Sequence, residues 1–360
     1  MSSERRRILV FRAGHLGDTV IALPAFWAIR NAFPRAWITL LSNSDPYNPH
    51  YVLARNVLPE YGLFDDYLSY RNLLAGFRGM LEYGRLAVKL RFLNFDSVFY
   101  LMTRGRTPEQ IDRDVRFFKL CGISNVLCAD HARENLLPAQ FLRPAPLIES
   151  ESDFLLACLA SERITVRDNL DFLALSAAER ARAADFLEPV LNPNRPVVAV
   201  GPGSKWESKI WDEERYARVV DALIQTYNAI PVIFGGPEDE EKGNRLLARW
   251  RCGWNAAGAL NVREAAAALE KCAFYLGNDT GTMHLAAAVG TRCVAIFAAV
   301  DWPGRWYPRG SGHKVFRRSV ECEGCHSTVC LTDRRCLNQI SENEVLDACV
   351  GILKAYRGDS

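Results

Sequence analysis

No run of apolar residues in this 360-residue chain reaches the length a bilayer-spanning helix needs, about 20 residues. Arg5-Arg6-Arg7 opens the chain, but no signal-type apolar segment follows it. The net charge is only +2, too small to imply nucleic acid as a partner. Several fingerprints are also missing. The first glycine-containing loop has Gly14 and Gly17 as G-x-x-G, short of the G-x-G-x-x-G of dinucleotide enzymes. No Tyr-x-x-x-Lys pair is present for hydride chemistry, and no P-loop. No D-x-D pair stands in a loop where Mg²⁺ would be expected. What is present is an ordinary globular composition, 49% hydrophobic and 24% charged, long enough for two domains. A cytoplasmic enzyme is the default expectation.

Cysteine is the one residue in surplus, with eleven. Seven are scattered among apolar positions, as at Cys158 and Cys272, and read as small core residues. Four gather as Cys322-x2-Cys325-x4-Cys330-x5-Cys336. One C-x-x-C plus two thiols resembles a small metal knuckle, but the second pair lacks zinc-ribbon spacing. The order of preference is free thiols, then a structural metal on these four, then disulfides, since the cytosol is reducing.

Taken in order, Ile8–Phe11 is a β run, followed by a loop to Asp18 and a helix with Ile21, Phe26, Ile29 and Phe33 on one face. Asp18 is the expected helix cap, and Pro24 implies an irregular or late first turn. Trp37–Leu41 is a second strand; Pro46, Asn48 and Pro49 mark a loop, and residues 50–70 are mixed. Leu73–Leu90 is an amphipathic helix with basic residues on one side, yet no amphipathic membrane anchor stands out in the chain. Asp96–Met102 is a buried strand, and Glu109–Leu120 a helix. Residues 130–190 are polar with one helix, Ser176–Phe186, and 188–196 reads as a linker. The alternation restarts with a strand at Val197–Val200, a helix at Asp212–Tyr227 and a strand at Pro231–Phe234. Helices at Glu238–Arg249, Val262–Lys271 and Glu342–Tyr356 complete it. Repeated β-then-α predicts parallel sheets in an α/β fold of two Rossmann-like domains, 1–187 and 196–341, with ligands bound at the strands' carboxyl ends. The last helix, 342–360, is expected to pack back on the first domain.

Loops after the strands hold the polar candidates. Gly277-Asn278-Asp279-Thr280-Gly281 feeds a helix of small residues, whose first N–H groups and positive dipole end suit an anion. Asp279 and Thr280 are good cap residues, and His284 lies one turn below on the same face. Gly201 to Trp211 offers close backbone at Gly201 and Gly203, a hydroxyl at Ser204 and charge at Lys205 and Lys209, a set suited to a diphosphate. Glu238, at a helix start, is either a cap or an acceptor of ribose hydroxyls. Asp18 is either a cap or a general base.

GNDTGTMHLAAAVGT, with Gly17-Asp18 and Leu23-Pro24, Pro202-Gly203-Ser204…Lys209-Ile210-Trp211, and Gly235-Gly236-Pro237-Glu238, resembles glycosyltransferase family nine, the ADP-heptose:lipopolysaccharide heptosyltransferases. The resemblance implies a GT-B fold and inverting, metal-independent glycosyl transfer, with no cofactor required. It implies a nucleotide-diphosphate sugar donor (ADP-heptose) in the C-terminal domain and a glycan or lipid-linked glycan acceptor in the N-terminal one. Asp18 would be the base, and Arg104 and Arg106 would either meet acceptor phosphates or acidic sugars or form a solvated loop. Ser204, Lys205 and Lys209 would meet the diphosphate, Glu238 the ribose, and Asp279, Thr280, Gly281 and His284 the phosphate and sugar. Lys205 departs from the family, where a hydroxyl residue is common. The enzyme would be cytoplasmic, with membrane contact left open: a lipid-linked acceptor would bring peripheral binding at the inner face of the cytoplasmic membrane through basic residues. Competing readings are transfer to a protein or another glycan, an oxidoreductase, and a non-catalytic nucleotide-sugar binder, which would not need Asp18.

Overall fold

The computed structural model describes residues 5–45, 47–71, 76–140, 142–165 and 171–358. Pro46 and the helix start expected at Leu73 lie outside them. The chain divides into two compact units, one of residues 1–138 and 151–174, the other of residues 139–150 and 175–360.

The first unit runs β1 (Arg7–Phe11), α1 (Leu16–Ala32), β2 (Trp37–Ser44), β3 (Asp66–Arg71), α2 (Gly76–Leu93), β4 (Ser97–Tyr100), α3 (Pro108–Leu120), β5 (Asn125–Leu127), α4 (Ala129–Glu134) and α5 (Glu151–Ser161). Its sheet is parallel in the order β3-β2-β1-β4-β5. β1 and β4 are buried on both faces, so they appear in sequence as unbroken apolar runs. β3 and α5 are absent from the sequence reading. β3 is a half-buried edge strand with polar alternation. α5 begins with charged residues, yet buries Phe154, Leu155, Cys158 and Leu159 against α1. Pro24 sits in mid-helix and α1 starts early, at Leu16, contrary to the expected irregular start.

The second unit runs α6 (Ala177–Leu187), β6 (Val197–Gly201), α7 (Glu213–Tyr227), β7 (Ile230–Ile233), α8 (Glu240–Trp250), β8 (Trp254–Asn255), α9 (Val262–Leu269), β9 (Phe274–Asn278), α10 (Gly281–Ala288), β10 (Cys293–Phe297), β11 (Lys314–Arg317), α11 (Arg335–Asn338) and α12 (Glu342–Arg357). Its parallel sheet has the order β11-β10-β9-β6-β7-β8. The chain leaves β6 toward β7 on one side and returns to β9 on the other. β6 and β9 therefore flank the topological switch point, where the loops at their carboxyl ends diverge and leave a crevice.

Two expected boundaries move. α6, assigned by sequence to the first domain, packs on α9 of the second unit and is tied there by the Arg263–Glu179 (2.5 Å) and Arg180–Glu270 (2.9 Å) ion pairs. Residues 139–150 also belong to the second unit. Arg143 donates to the Glu323 carbonyl, the Ala145 N–H to the Glu323 carboxylate at 2.9 Å, and the Ile148 N–H to the Pro303 carbonyl at 3.0 Å. Burial alone would raise the Glu323 carboxyl, but the Ala145 N–H and the Arg317 guanidinium outweigh it and hold it low. The closing helix expected to return to the first domain is part of the second. Val345, Cys349, Ile352 and Leu353 of α12 enter the core with Tyr216, Phe274 and Leu276.

Candidate functional site

At the β6/β9 switch point one buried amide organises the loops. Asn278, fully buried at the end of β9, donates from Nδ2 to the carbonyls of Pro202 (3.0 Å) and Gly203 (3.2 Å). Its Oδ1 accepts from the Trp211 N–H (3.1 Å) and the Tyr216 hydroxyl (2.8 Å). The sequence reading passed over Asn278, though an amide ending an apolar strand was the available signal. A single side chain thus pins both ends of the 202–211 loop to β9. Asn278→Ala leaves two carbonyls, an N–H and a hydroxyl without this partner, and should cost about 4 kcal/mol or more, at roughly 1–3 kcal/mol per orphaned group. A lowered thermal midpoint checks this; a midpoint equal to the parent's would show the loop is held by other means.

Held this way, the 202–211 loop brings the Lys209 ammonium to 2.6 Å from Asp279 Oδ2 and 4.9 Å from the Trp206 ring centroid. Both side chains are mostly buried, at 16% and 7% exposure. An ammonium carries three donors, so the contact with Asp279 leaves others for a ligand. The expected partition is thereby altered. Asp279, an acceptor when ionised, holds Lys209 in place and is poorly suited to touch a phosphate itself. Lys205 is exposed, and the Ser204 hydroxyl accepts the Trp206 N–H at 3.2 Å while its own proton remains available to donate.

Thr280 occupies the cap position of α10, but no side-chain bond caps that helix. Gly281 opens the helix and His284 is buried one turn on, its ring edge-on to Trp306 at 6.5 Å. Trp306 belongs to a loop after β10 that sequence reasoning did not single out. There the Asp301 carboxylate accepts from the Trp306 indole (2.7 Å) and the Arg305 guanidinium (3.1 Å). Burial holds the nearby His326 imidazole below its ordinary value; Asp301 pulls it back up, while Arg305 and Lys209 add to the fall.

The third loop also departs from expectation. Glu238 is exposed, while Asp239 folds back between the glycine loops, accepting the Gly236 N–H at 3.2 Å. A Cβ on Gly203 would fall 1.8 Å from Asp239 Oδ1, so glycine is required there for close approach. Burial, and then Glu238, raise the Asp239 carboxyl against the pull of Lys242.

In the first unit Asp18 is not the cap residue. His15 occupies that position, and Asp18 reaches back from the third helical residue to accept the His15 N–H at 2.8 Å. Buried Arg12 braces this turn, donating to the Asp18 carbonyl (2.9 Å) and the Leu101 carbonyl (2.9 Å), with Asp18 Oδ1 at 3.5 Å. The turn therefore joins the carboxyl ends of β1 and β4, the switch point of this sheet. Tyr51, donating to the Gly14 carbonyl at 2.6 Å, is pushed up to about 12 by burial and then by Asp18. Arg104 is a core residue, buried against Glu151 (3.7 Å) and the Phe154 ring (4.9 Å), contrary to the solvated or acceptor-facing loop expected. Arg106 pairs with Asp114 at 3.5 Å and keeps part of its surface.

The four clustered cysteines do not behave alike. Cys336 is in the apolar core and Cys325 is exposed, while Cys330 Sγ accepts the Arg334 N–H at 3.1 Å. Among the described residues no three His, Cys, Asp or Glu side chains are grouped to hold a metal ion, and no disulfide joins any of the eleven cysteines. The segment instead braces the Lys209 loop. The Ser208 hydroxyl donates to the Ser327 carbonyl (2.6 Å), and the Cys330 N–H to the Glu207 carboxylate (3.0 Å).

Residues 159–335, which include the whole β6/β9 crevice, match the family model of glycosyltransferase family 9 (heptosyltransferase). Over these residues the chain is similar to glycosyltransferase family 9. Lipopolysaccharide heptosyltransferase 2 of Escherichia coli is 28% identical over 166 residues, 42% of this chain and 47% of that protein. The chain thus spans about half the length of such curated relatives. Two solved structures share the fold from end to end. A family 9 glycosyl transferase from Veillonella parvula has a TM-score of 0.72 at 20% identity, covering 99% of each chain. ADP-heptose lps heptosyltransferase II of E. coli has 0.66 at 19%, covering 98% of this chain and 99% of that one. The likeness to these structures makes the fold of the chain α/β of GT-B type.

Proposed function

We propose that the chain is an inverting glycosyltransferase that moves a heptose from ADP-heptose to a lipopolysaccharide-core acceptor. The observation that carries this reading is the Lys209–Asp279 pair, set beside the N-terminus of α10 at the β6/β9 switch point. In such a transfer the acceptor oxygen attacks the anomeric carbon, the bond to the diphosphate breaks, and the acceptor hydroxyl loses its proton. Charge builds on the departing diphosphate. Lys209, the Ser204 hydroxyl and the first N–H groups of α10 are fixed donors for it, so the chain's own groups supply what a metal would supply elsewhere. Thr280, Gly281 and His284 line the same mouth, with Glu238 or its half-buried neighbour Asp239 toward the ribose. Asp18, oriented by the His15 N–H and by Arg12, takes the acceptor proton.

The names of the relatives support heptose and lipopolysaccharide as donor sugar and acceptor. On a lipid-linked acceptor the enzyme would work at a membrane surface by peripheral contact; among the described residues no helix is long and apolar enough to cross one. A thermal-shift comparison of ADP, UDP, GDP and NAD tests the donor class. ADP at a hundred times its Kd should add about 2.7 kcal/mol of stability. Stabilisation by NAD alone would sink the proposal.

A further inference from the structure

The outward side of α2 is built backwards for a helix on a water-soluble protein. Its inner side, with Gly79, Leu86 and Leu90, is buried against β3 and α3. At 100° per residue the opposite side carries Met80, Gly84, Val88 and Phe92, four positions spaced by four on one line. The three apolar side chains among them are exposed by 73%, 71% and 88%. A surface helix ordinarily puts charge there. Here the charges lie along the edges of the apolar line, Arg91 on one side and Arg85 and Lys89 on the other, all exposed. Residues 76–93 hold four basic residues against one acidic, Glu82, which stands 3.8 Å from Arg85.

We infer that this face of α2 is a docking surface for an anionic lipid bilayer, the helix lying in the plane of the headgroups. Apolar side chains flanked by cations are what such a surface recognises: the former enter the acyl boundary and the latter meet lipid phosphates. The same pattern disfavours a second copy of this chain. A two-fold interface would set the patch against itself, with the cations of one copy facing those of the other. Charge complementarity selects the anionic membrane. The inference rests on the reading of a lipid-linked acceptor, because that substrate places the enzyme at a bilayer.

The test is flotation of the full chain with phosphatidylglycerol–phosphatidylcholine vesicles and with phosphatidylcholine alone, in the absence of donor and acceptor. Binding to the anionic vesicles, weakened by salt, is expected. Arg85→Gln/Lys89→Gln should weaken it roughly 30-fold, and Val88→Glu/Phe92→Glu should abolish it. All four side chains are exposed, so both variants should keep the parent's thermal midpoint and its turnover of a delipidated acceptor. Failure of the parent to bind the anionic vesicles overturns the inference, as does undiminished binding by Val88→Glu/Phe92→Glu. A dimer that this variant abolishes, without vesicle binding by the parent, assigns the face to a second copy. Absence of transfer to the delipidated acceptor would instead count against the glycosyltransferase reading and leave the vesicle result standing.

Discussion

Asp18→Asn is expected to lower turnover by about 10²–10⁴-fold, the usual contribution of a positioned general base, with affinity for ADP unchanged. Asparagine keeps an oxygen for the His15 N–H, and the main bonds of Arg12 go to the Asp18 and Leu101 carbonyls, which the substitution leaves alone. The turn and the start of α1 should therefore survive. The only stability loss expected is the favourable placement of a carboxylate in the first helical turn, about 0.3–1 kcal/mol. Steady-state turnover, ADP titration and a thermal melt, made on one preparation, separate the possibilities. Turnover equal to the parent's would refute the base assignment. Loss of ADP binding along with turnover would make Asp18 structural, since the nucleotide loops proposed here belong to the other unit.

Lys209→Met should lower turnover by about 10²–10³-fold, the scale for losing one donor to a developing negative charge. It should also destabilise the second unit, because Asp279 would keep a largely buried carboxylate without its cation. Breaking a buried pair costs about 3–5 kcal/mol; Lys209 retains some exposure, so the lower end is expected. Asp279→Asn in the same chain removes the orphaned charge. The double variant should regain much of the thermal midpoint yet little of the turnover, since the ammonium is still missing. Contacting residues couple by about 0.5–3 kcal/mol, which a four-member cycle measures. Additive losses in midpoint would show that the pair is not coupled. Parent-level turnover in Lys209→Met would remove the ammonium from the chemistry.

Both predictions concern residues that are legible as candidates in the sequence itself, and the reason is local. Asp18, Lys209 and Asp279 stand in polar loops directly after apolar strands, and a βαβ chain brings such loops to one edge of its sheet. Which candidate does what was less legible. Lys205 and Lys209 are equivalent cations in the sequence, and only the folded loop sets one against Asp279 and leaves the other exposed. Arg104 and Arg106 were a similar pair: α5, a helix the sequence reading missed, supplies Glu151 and Phe154 to bury the first. Glu238 and Asp239 exchanged prominence because Gly203 leaves room for one carboxylate to fold inward.

The alternation of strand and helix, the parallel sheets and the polar loops at the strands' carboxyl ends were determined by the sequence alone. Apolar periodicity and glycine or proline punctuation act over a few residues and need no distant partner. The tertiary structure decided the rest, through contacts between residues far apart in the chain. α6 joins the second unit because Glu179 finds Arg263 and Arg180 finds Glu270. Asn278 becomes a staple because Pro202, Gly203, Trp211 and Tyr216 all converge on one amide. The apolar line of Met80, Val88 and Phe92 becomes a surface because β3 and α3 cover the other side of α2. A helix with two apolar faces does not state which one it buries; its neighbours do.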